Sequence, residues 1–329
     1  MIARIAAALL VVAFAAGCGP SSTPPQAVTV APVDVKPSGA DVVTSAPAPG
    51  AAAAPKNDDC DQEASLYPGP MPPPGGMPPD STMAAIAERG RLIVGVDQNT
   101  NLFGFRNPAS GEIDGFDIDV AREIARAIFG DPAPVETKVV EASQRESALQ
   151  TGQVDIVVRT YSITCARKHD VAFSTTYFEA QQKILALKGS GIESSADLAG
   201  KRVCAVRGTT SLPALSALVP RPTVLAVSNW TDCLVMLQQG QADAISTDDA
   251  VLWGLKMQDP NVDVVGPSME REPYGVGVRK ESSDLVRFVN GVLAQMRADG
   301  TWERLYDKWL LEMAPSPGPP TPRYEDGPP

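Results

Sequence analysis

The hydrophobic pattern of residues 82–311 alternates between short apolar runs and amphipathic segments. Residues 91–96, 135–140 and 154–158 are predicted strands, and residues 120–129 carry apolar positions at helical spacing up to a stop at Gly130. This alternation of strands and helices predicts an α/β fold in which the sheet is largely parallel and is covered on both faces.

The same alternation begins again after a glycine-rich turn at residues 188–191. The further predicted strands cover residues 202–206, 223–227, 242–246 and 262–265. Helices predicted at residues 283–299 and 301–311 close the body. We therefore expect two α/β units, each long enough to bury its own core.

Both ends of the chain differ from this body in composition. Residues 1–17 combine one positive charge, a short apolar run and small residues, as a secretory signal does, and the Ala-Ala-Gly-Cys sequence ending at Cys18 resembles a bacterial lipobox, whose cysteine is lipidated. Residues 18–79 and 312–329 are rich in proline and predict an extended tether and a tail. We expect an extracytoplasmic lipoprotein held at the cell membrane; secretion with a free Cys18 is the alternative.

Four cysteines remain after Cys18, and an oxidising compartment favours disulfides over free buried thiols. Four cysteines allow three pairings, and the sequence alone does not choose among them. The short separation of Cys204 and Cys233 favours a local bond. Cys60 would then pair with Cys165 and fasten the tether to the body.

Charge and histidine content narrow the function further. The formal net charge is -11, which argues against nucleic acid as a partner. His169 is the only histidine, so most metal sites and histidine-based catalysis are removed. We expect no metal and no cofactor.

Polar residues follow three predicted strands, at the edge where open α/β sheets bind ligands. Thr160 and Ser162 share a face, and Arg167 offers a planar fork suited to a carboxylate. Residues 208–211 form a strand-to-helix turn suited to an anion, although they lack the Gly-Lys-Ser/Thr ending of a nucleotide loop. Asp248 suits an ammonium group, although helix capping is its commoner role. Two anion-binding elements and one cation-binding element predict a zwitterionic amino acid as the ligand.

The order and spacing of these motifs in residues 91–311 resemble the polar amino-acid family of bacterial solute-binding proteins, with Gly115-Phe116-Asp117-Ile118-Asp119 as a further landmark. The resemblance implies a two-lobed, type II periplasmic-binding-protein fold, in which two parallel-rich sheets joined by a two-strand hinge close on a ligand. Residues 80–187 and 273–311 would form one lobe and residues 188–272 the other. The implied protein is a monomer that delivers its ligand to an ABC permease or to a transmembrane sensor.

The resemblance also implies roles for individual residues. The implied set is Thr160, Ser162, Arg167, Gly208, Thr209, Thr210 and Asp248. Arg167 would bind the ligand α-carboxylate with help from Thr209 and Thr210. Asp248 would bind the α-ammonium, together with the Ser162 hydroxyl and the Thr160 carbonyl. Arg145 would meet a side-chain carboxylate, although a solvated helix arginine is the alternative.

Two positions depart from the acidic members of the family. Asp97 stands where some have a basic residue, and Trp230 stands where a histidine is seen, so glutamine and asparagine are expected beside glutamate and aspartate. Phe103 would cover the ligand or belong to the core. An enzyme on the same fold, of the cyclohexadienyl dehydratase kind, is the alternative function, and a cell-wall interaction protein without a ligand is a third.

Overall fold

The structure is a computed structural model that describes residues 36–43 and 60–327. The predicted signal peptide and Cys18 lie outside the described residues. The strands are β1 (Asp41–Val42), β2 (Ala64–Ser65), β3 (Leu92–Val96), β4 (Asn99–Thr100), β5 (Gly104–Arg106), β6 (Ile113–Asp114), β7 (Val135–Val139), β8 (Ile156–Val157), β9 (Val171–Phe173), β10 (Phe178–Leu187), β11 (Arg202–Val206), β12 (Thr223–Val227), β13 (Ala244–Asp248), β14 (Val262–Tyr274), β15 (Gly277–Arg279) and β16 (Arg323–Tyr324). The helices are α1 (Thr82–Arg89), α2 (Phe116–Phe129), α3 (Arg145–Gln150), α4 (Cys165–Asp170), α5 (Ser211–Ser216), α6 (Trp230–Gln238), α7 (Asp249–Lys256), α8 (Ser283–Ala298) and α9 (Thr301–Trp309).

A five-stranded sheet with the order β7-β3-β8-β15-β9 forms the first lobe. β3 is parallel to β7 and β8, whereas β15 runs antiparallel to β8 and β9. The apolar stripe of α2, including Ile124 and Ile128, packs in one core with Val289 and Trp302 from the last two helices. α2 begins directly after Gly115, where a Cβ atom would lie 2.1 Å from the Phe103 carbonyl oxygen. Only glycine fits this approach.

A six-stranded sheet with the order β1-β12-β11-β13-β10-β14 forms the second lobe. β11 is parallel to β12 and β13, and β10 runs antiparallel to β13 and β14. A separate core includes Leu198, Val203, Leu237 and Leu255. Two sheets with two cores confirm the predicted two-lobed α/β fold.

The long strands β10 and β14 connect the lobes. Phe178, Ala180 and Tyr274 pack in the first core, whereas Ile184 and Leu185 pack in the second. The first change of core therefore comes a few residues before the predicted boundary at 187/188. The glycine turn that suggested this boundary marks the end of β10, and the passage between the lobes takes place inside an uninterrupted strand.

Residues 60–79 were expected in an extended tether, but they pack on the first lobe. β2 lies parallel to β16, the Ser65 hydroxyl donates to the Phe173 carbonyl at 2.7 Å, and the Asn290 amide donates to the Leu66 carbonyl at 2.7 Å. Leu66 and Met77 also cover the first core. The high proline content predicted an extended segment, and the few side chains that anchor it did not change that prediction.

The C-terminal tail is packed on the same lobe up to residue 327. The rings of Tyr67 and Tyr324 lie 4.8 Å apart, and Arg287 pairs with Asp326 at 2.5 Å. The expected proline-rich tail is thus held on the first lobe over this stretch. A proline-rich segment can be ordered when aromatic and charged side chains anchor it at intervals.

Two disulfides cross-link the structure. Cys60 is bonded to Cys165, at the start of α4, and Cys204 in β11 is bonded to Cys233 in α6. The first bond fixes Cys60 beside the stretch that carries the hydroxyl motif. In the described part of the chain, no helix is both long enough and apolar enough to cross a membrane.

Candidate functional site

The backbone after β8 is held in an unusual conformation. Thr160 has φ +38°, and its N–H donates to Oδ2 of Asp117 at 2.8 Å. Tyr177 donates to the other oxygen of Asp117 at 2.7 Å. Burial raises the pKa of Asp117 to about 6, against these two hydrogen bonds. Asp117 thus holds the turn that directs the hydroxyl stretch toward the second lobe.

The same stretch ends in the short helix α4. The Thr164 hydroxyl accepts a hydrogen bond from the Arg167 N–H at 3.2 Å and so caps this helix. Ser162 pairs with Tyr274 of the returning hinge strand in an isolated bridge. Capping therefore explains Thr164, while Ser162 and Arg167 face a cavity between the lobes.

This cavity brings together most of the predicted site. It is lined by Arg145, Arg159, Thr160, Ser162, Arg167, Thr209, Thr210, Trp230, Thr247, Asp248 and Val251. About 10 Å³ is open to a water-sized sphere, which is room for about one water molecule. An amino acid can therefore enter only when the two walls separate.

Two arginines of the first lobe reach across the cavity to one carbonyl of the second. The Gly208 oxygen accepts from Nη2 of Arg145 at 2.8 Å and from Nη2 of Arg167 at 2.9 Å. Gly208 has φ +75°, and a Cβ atom there would lie 2.5 Å from the Cα of Ser143. The two lobes are thus in direct contact at this loop, and the cleft is closed.

Arg145 is a buried wall residue. Its Nε donates to the Ala142 carbonyl at 2.9 Å, and its guanidinium lies 4.1 Å from the centre of the Tyr161 ring. Burial, with the neighbouring charge of Arg167, lowers the pKa of Arg145 to about 9. The alternative of a solvated helix arginine is therefore wrong. Arg167 donates to the Ser162 carbonyl at 2.6 Å and lies 3.5 Å from the Glu146 carboxylate.

Asp248 presents a carboxylate to the opposite wall. It precedes α7 without capping it through its side chain. The Tyr274 hydroxyl donates to Oδ2 at 2.5 Å, while Oδ1 is buried and has no hydrogen-bond partner. Burial, and next the charge of Glu272, raise the pKa of Asp248 well above its usual range. When Asp248 is ionised, its buried and unpartnered Oδ1 is suited to a cation.

The second lobe supplies three further predicted residues. Thr209 donates to the Val206 carbonyl at 2.6 Å and so fixes its own loop, while Thr210 lies directly before α5. Trp230 begins α6 and is buried at the cavity wall.

Phe103 is not part of the cavity wall. Its ring packs edge-on against Phe116, Phe178 and Tyr274 at centroid distances of 5.8, 5.1 and 6.1 Å. The suggestion that Phe103 covers a ligand is therefore wrong. Phe103 is a core residue, because the close approach at Gly115 draws its backbone into the first lobe.

Sequence reasoning missed two charged residues of this site. Arg159 is buried at the wall, pairs with Asp97 at 2.9 Å, and leaves its Nε without a partner. Glu272 is buried, which raises the pKa of its carboxyl, while the hydroxyls of Ser162 and Thr210 lower it. Arg159 comes directly after the apolar run 154–158, and this position could have predicted it as a site residue. For Glu272, the sequence offered only a hinge position.

No group of three or more His, Cys, Asp or Glu side chains suited to a metal ion occurs among residues 36–43 and 60–327. The cavity instead offers guanidinium groups from the first lobe and a carboxylate from the second. Such a site suits a small ligand that carries both charges. The fold and the site together define a two-lobed binding protein that closes on a small zwitterion.

Comparison with known proteins gives the family. Residues 92–312 match the bacterial extracellular solute-binding proteins, family 3, and the chain belongs to this family. The ABC transporter glutamine-binding protein GlnH of Bacillus subtilis is 41% identical over 232 residues, which is 70% of this chain and 85% of that protein. The glutamate-binding protein GluB of Corynebacterium glutamicum is 32% identical over 245 residues, covering 71% and 82%.

Solved structures agree with this assignment. An ancestral arginine-binding protein bound to glutamine is 37% identical, with a TM-score of 0.63 over 68% of this chain and 98% of that one. The matched region coincides with the two lobes and leaves the segments before residue 92 outside the family match.

Proposed function

We propose that this protein binds polar and acidic amino acids outside the cytoplasm and delivers them to an ABC permease. One observation carries the proposal: Arg167 from the first lobe and Asp248 from the second line the same closed cavity, and Oδ1 of Asp248 has no hydrogen-bond partner. Arg167 would bind the α-carboxylate and Asp248 the α-ammonium. The carbonyl of Gly208, now held by two arginines, would be released or shared when the ligand carboxylate arrives.

Glutamine and glutamate are the ligands that we place first. Relatives named for each of these amino acids support this choice. Arg145 and Arg159 line the cavity beside Arg167, and Asp97 pairs with Arg159. A carboxylate or a carboxamide can therefore both be accommodated, the first by Arg145 and the second by the Arg159–Asp97 pair.

A thermal-shift screen tests the proposal directly. The protein lacking residues 1–18 is mixed with each of the twenty amino acids and with prephenate, the substrate of the dehydratase alternative. A ligand present at a hundredfold excess over Kd adds about 2.7 kcal/mol of stability. We expect a rise in Tm with glutamine or glutamate. A rise with prephenate alone, followed by turnover, would favour an enzyme, and no rise at all would contradict binding of amino acids.

The membrane attachment and the partner belong to the same proposal. A lipid on Cys18 would keep the protein at the cell membrane, where the permease, or a sensor in its place, takes the closed form. Cys18→Ser tests the anchor: we expect the protein to move from the membrane fraction to the medium. Uptake of labelled glutamine by cells with and without this gene separates a transport role from a sensor role.

A further inference from the structure

Two buried carboxylate oxygens without hydrogen-bond partners lie on the same face of the second sheet. They are Oδ1 of Asp248 and Oε1 of Glu272. On β10, Gln182 pairs with Asp248 and Ala180 pairs with Glu272. Because residues two apart on a strand share a face, the two carboxylates project to the same side of β10. Buried acceptors are normally satisfied, so two such oxygens in one place call for a missing donor.

Glu272 also connects the walls of the cleft. The hydroxyls of Ser162, from the first lobe, and Thr210, from the second, both act to lower the pKa of its carboxylate, against the larger effect of burial. Both residues line the cavity, whereas Glu272 is buried and does not belong to the lining. A hydroxyl that donates its hydrogen to Glu272 keeps its lone pairs as acceptors toward the cavity. An ionised Glu272 thus turns both hydroxyls into acceptors for an ammonium group.

The charges around this pair are mostly negative. Asp249 and Glu270 add to the two carboxylates, and the buried Tyr274 hydroxyl donates to Asp248. Lys183 acts on Asp249. The cation that acts on both carboxylates is Arg167.

Arg167 compensates little of the negative charge of Asp248 and Glu272. Its donors serve the Ser162 and Gly208 carbonyls, and Glu146 also lies within ion-pair distance. Two neighbouring buried carboxylates do not both ionise readily without a cation between or beside them. Burial, as the largest cause, raises the pKa of each. The pair therefore tends to hold a proton while the ammonium site is empty.

We propose that Glu272 is a positioning residue for the ammonium group of the ligand, and that ligand binding expels a proton from the Asp248–Glu272 pair. The inference rests on the proposed amino-acid binding. The charges balance: the ligand ammonium brings one positive charge and a carboxyl O–H loses one proton to water, so two carboxylates with one ammonium carry the same net charge as the half-protonated pair. The two hydroxyls then accept from the ammonium, and Asp248 Oδ1 gains its missing donor.

Titration calorimetry with L-glutamine tests this coupling, because the glutamine side chain does not ionise. Binding is measured at pH 5.5, 6.5 and 7.5 in pairs of buffers with different ionisation enthalpies. For the unaltered protein we expect affinity to fall as the pH falls, by up to about tenfold per pH unit when one proton is released. The observed enthalpy should depend on the buffer in the direction of proton release.

Glu272→Gln should bind glutamine more weakly, and both the pH slope and the buffer dependence should become smaller, because only the buried Asp248 is then left to release a proton. Glu272→Asp, which keeps the charge, should retain proton release. The exposed Glu281→Gln is the control and should match the unaltered protein. If Glu272→Gln does not fold, the buffer dependence of the unaltered protein still tests whether ligand binding releases a proton.

The outcomes separate the two proposals. Glutamine binding with no proton release at any pH would overturn the role of Glu272 and leave amino-acid binding intact. Proton release that is undiminished in Glu272→Gln would also overturn it. If no amino acid binds to the unaltered protein, L-glutamate included, both proposals fail.

Discussion

The two walls of the cleft differ in how their polar groups are satisfied. On the first lobe, Arg145 and Arg167 donate to backbone carbonyls, one of which belongs to the opposite lobe. On the second lobe, Asp248 keeps one buried oxygen without a partner, as does Glu272 behind it. The cationic wall therefore favours closure by itself, whereas the anionic wall is unfavourable until a cation arrives. We therefore expect ligand selectivity to depend on both walls. The stabilisation of the folded protein by ligand should depend mainly on the wall of the second lobe.

Removing the carboxylate clamp should have the largest effect. We expect Arg167→Ala to lose glutamine and glutamate binding by at least about 30-fold, since truncating one partner of a buried charge pair costs roughly 2–5 kcal/mol. Calorimetry at pH 7.5 measures the loss. Arg126→Ala is the control, because Arg126 is an exposed helix residue that pairs with its neighbour Glu123. Binding within threefold of the unaltered protein would contradict the clamp.

Asp248→Asn should separate binding from stability. Loss of the carboxylate should weaken ligand binding by about tenfold or more. The same change removes a buried charge beside Glu272 and should raise the Tm of the ligand-free protein, by about 2–4 °C for each 1 kcal/mol relieved. Thermal melts with and without glutamine report both effects. The exposed Asp80→Asn is the control, and a fall in ligand-free Tm would contradict the unfavourable state of the anionic wall.

Arg145→Ala should change selectivity within the first wall. The affinity for glutamate and aspartate should fall by about fivefold to tenfold more than that for glutamine and asparagine, because a charge-assisted bond is about twice as strong as a neutral one. The ratio of the four affinities is the measurement, which cancels any general loss of stability. Equal losses for all four would remove the side-chain role of Arg145.

Asp117→Asn should change the stability of the protein rather than its selectivity, and the change should depend on pH. The pKa of Asp117 is about 6 in the folded protein against an ordinary 3.8. Its contribution to stability is therefore fully present below about pH 4 and is lost as the pH rises through about 6, by up to about 3 kcal/mol. Urea unfolding from pH 4 to 7 should show the variant gaining relative to the unaltered protein as pH rises. A constant difference would mean that this carboxyl does not titrate there.

The sequence predicted the fold and the wall residues that follow strand ends. Arg167 and Asp248 could be found because each comes directly after an apolar run. Glu272 could not, since Ser162 and Thr210, whose hydroxyls act on its carboxylate, are distant from it in sequence. Residues 60–79 could not be placed either, because a proline-rich composition outweighed a few anchors such as Ser65.

The N-terminal strand β1 has a consequence for solubility. Its two residues pair antiparallel with β12, and Asp41 pairs with Arg207 at 2.7 Å beside that edge. Without β1, the outer margin of the second sheet would be β12, whose sequence Thr-Val-Leu-Ala-Val is apolar and β-branched. An exposed strand of this kind is a template for association between chains. A shortened protein that starts at Cys60 would keep both lobes and the cleft, yet it should aggregate more readily than one that starts at Gly19.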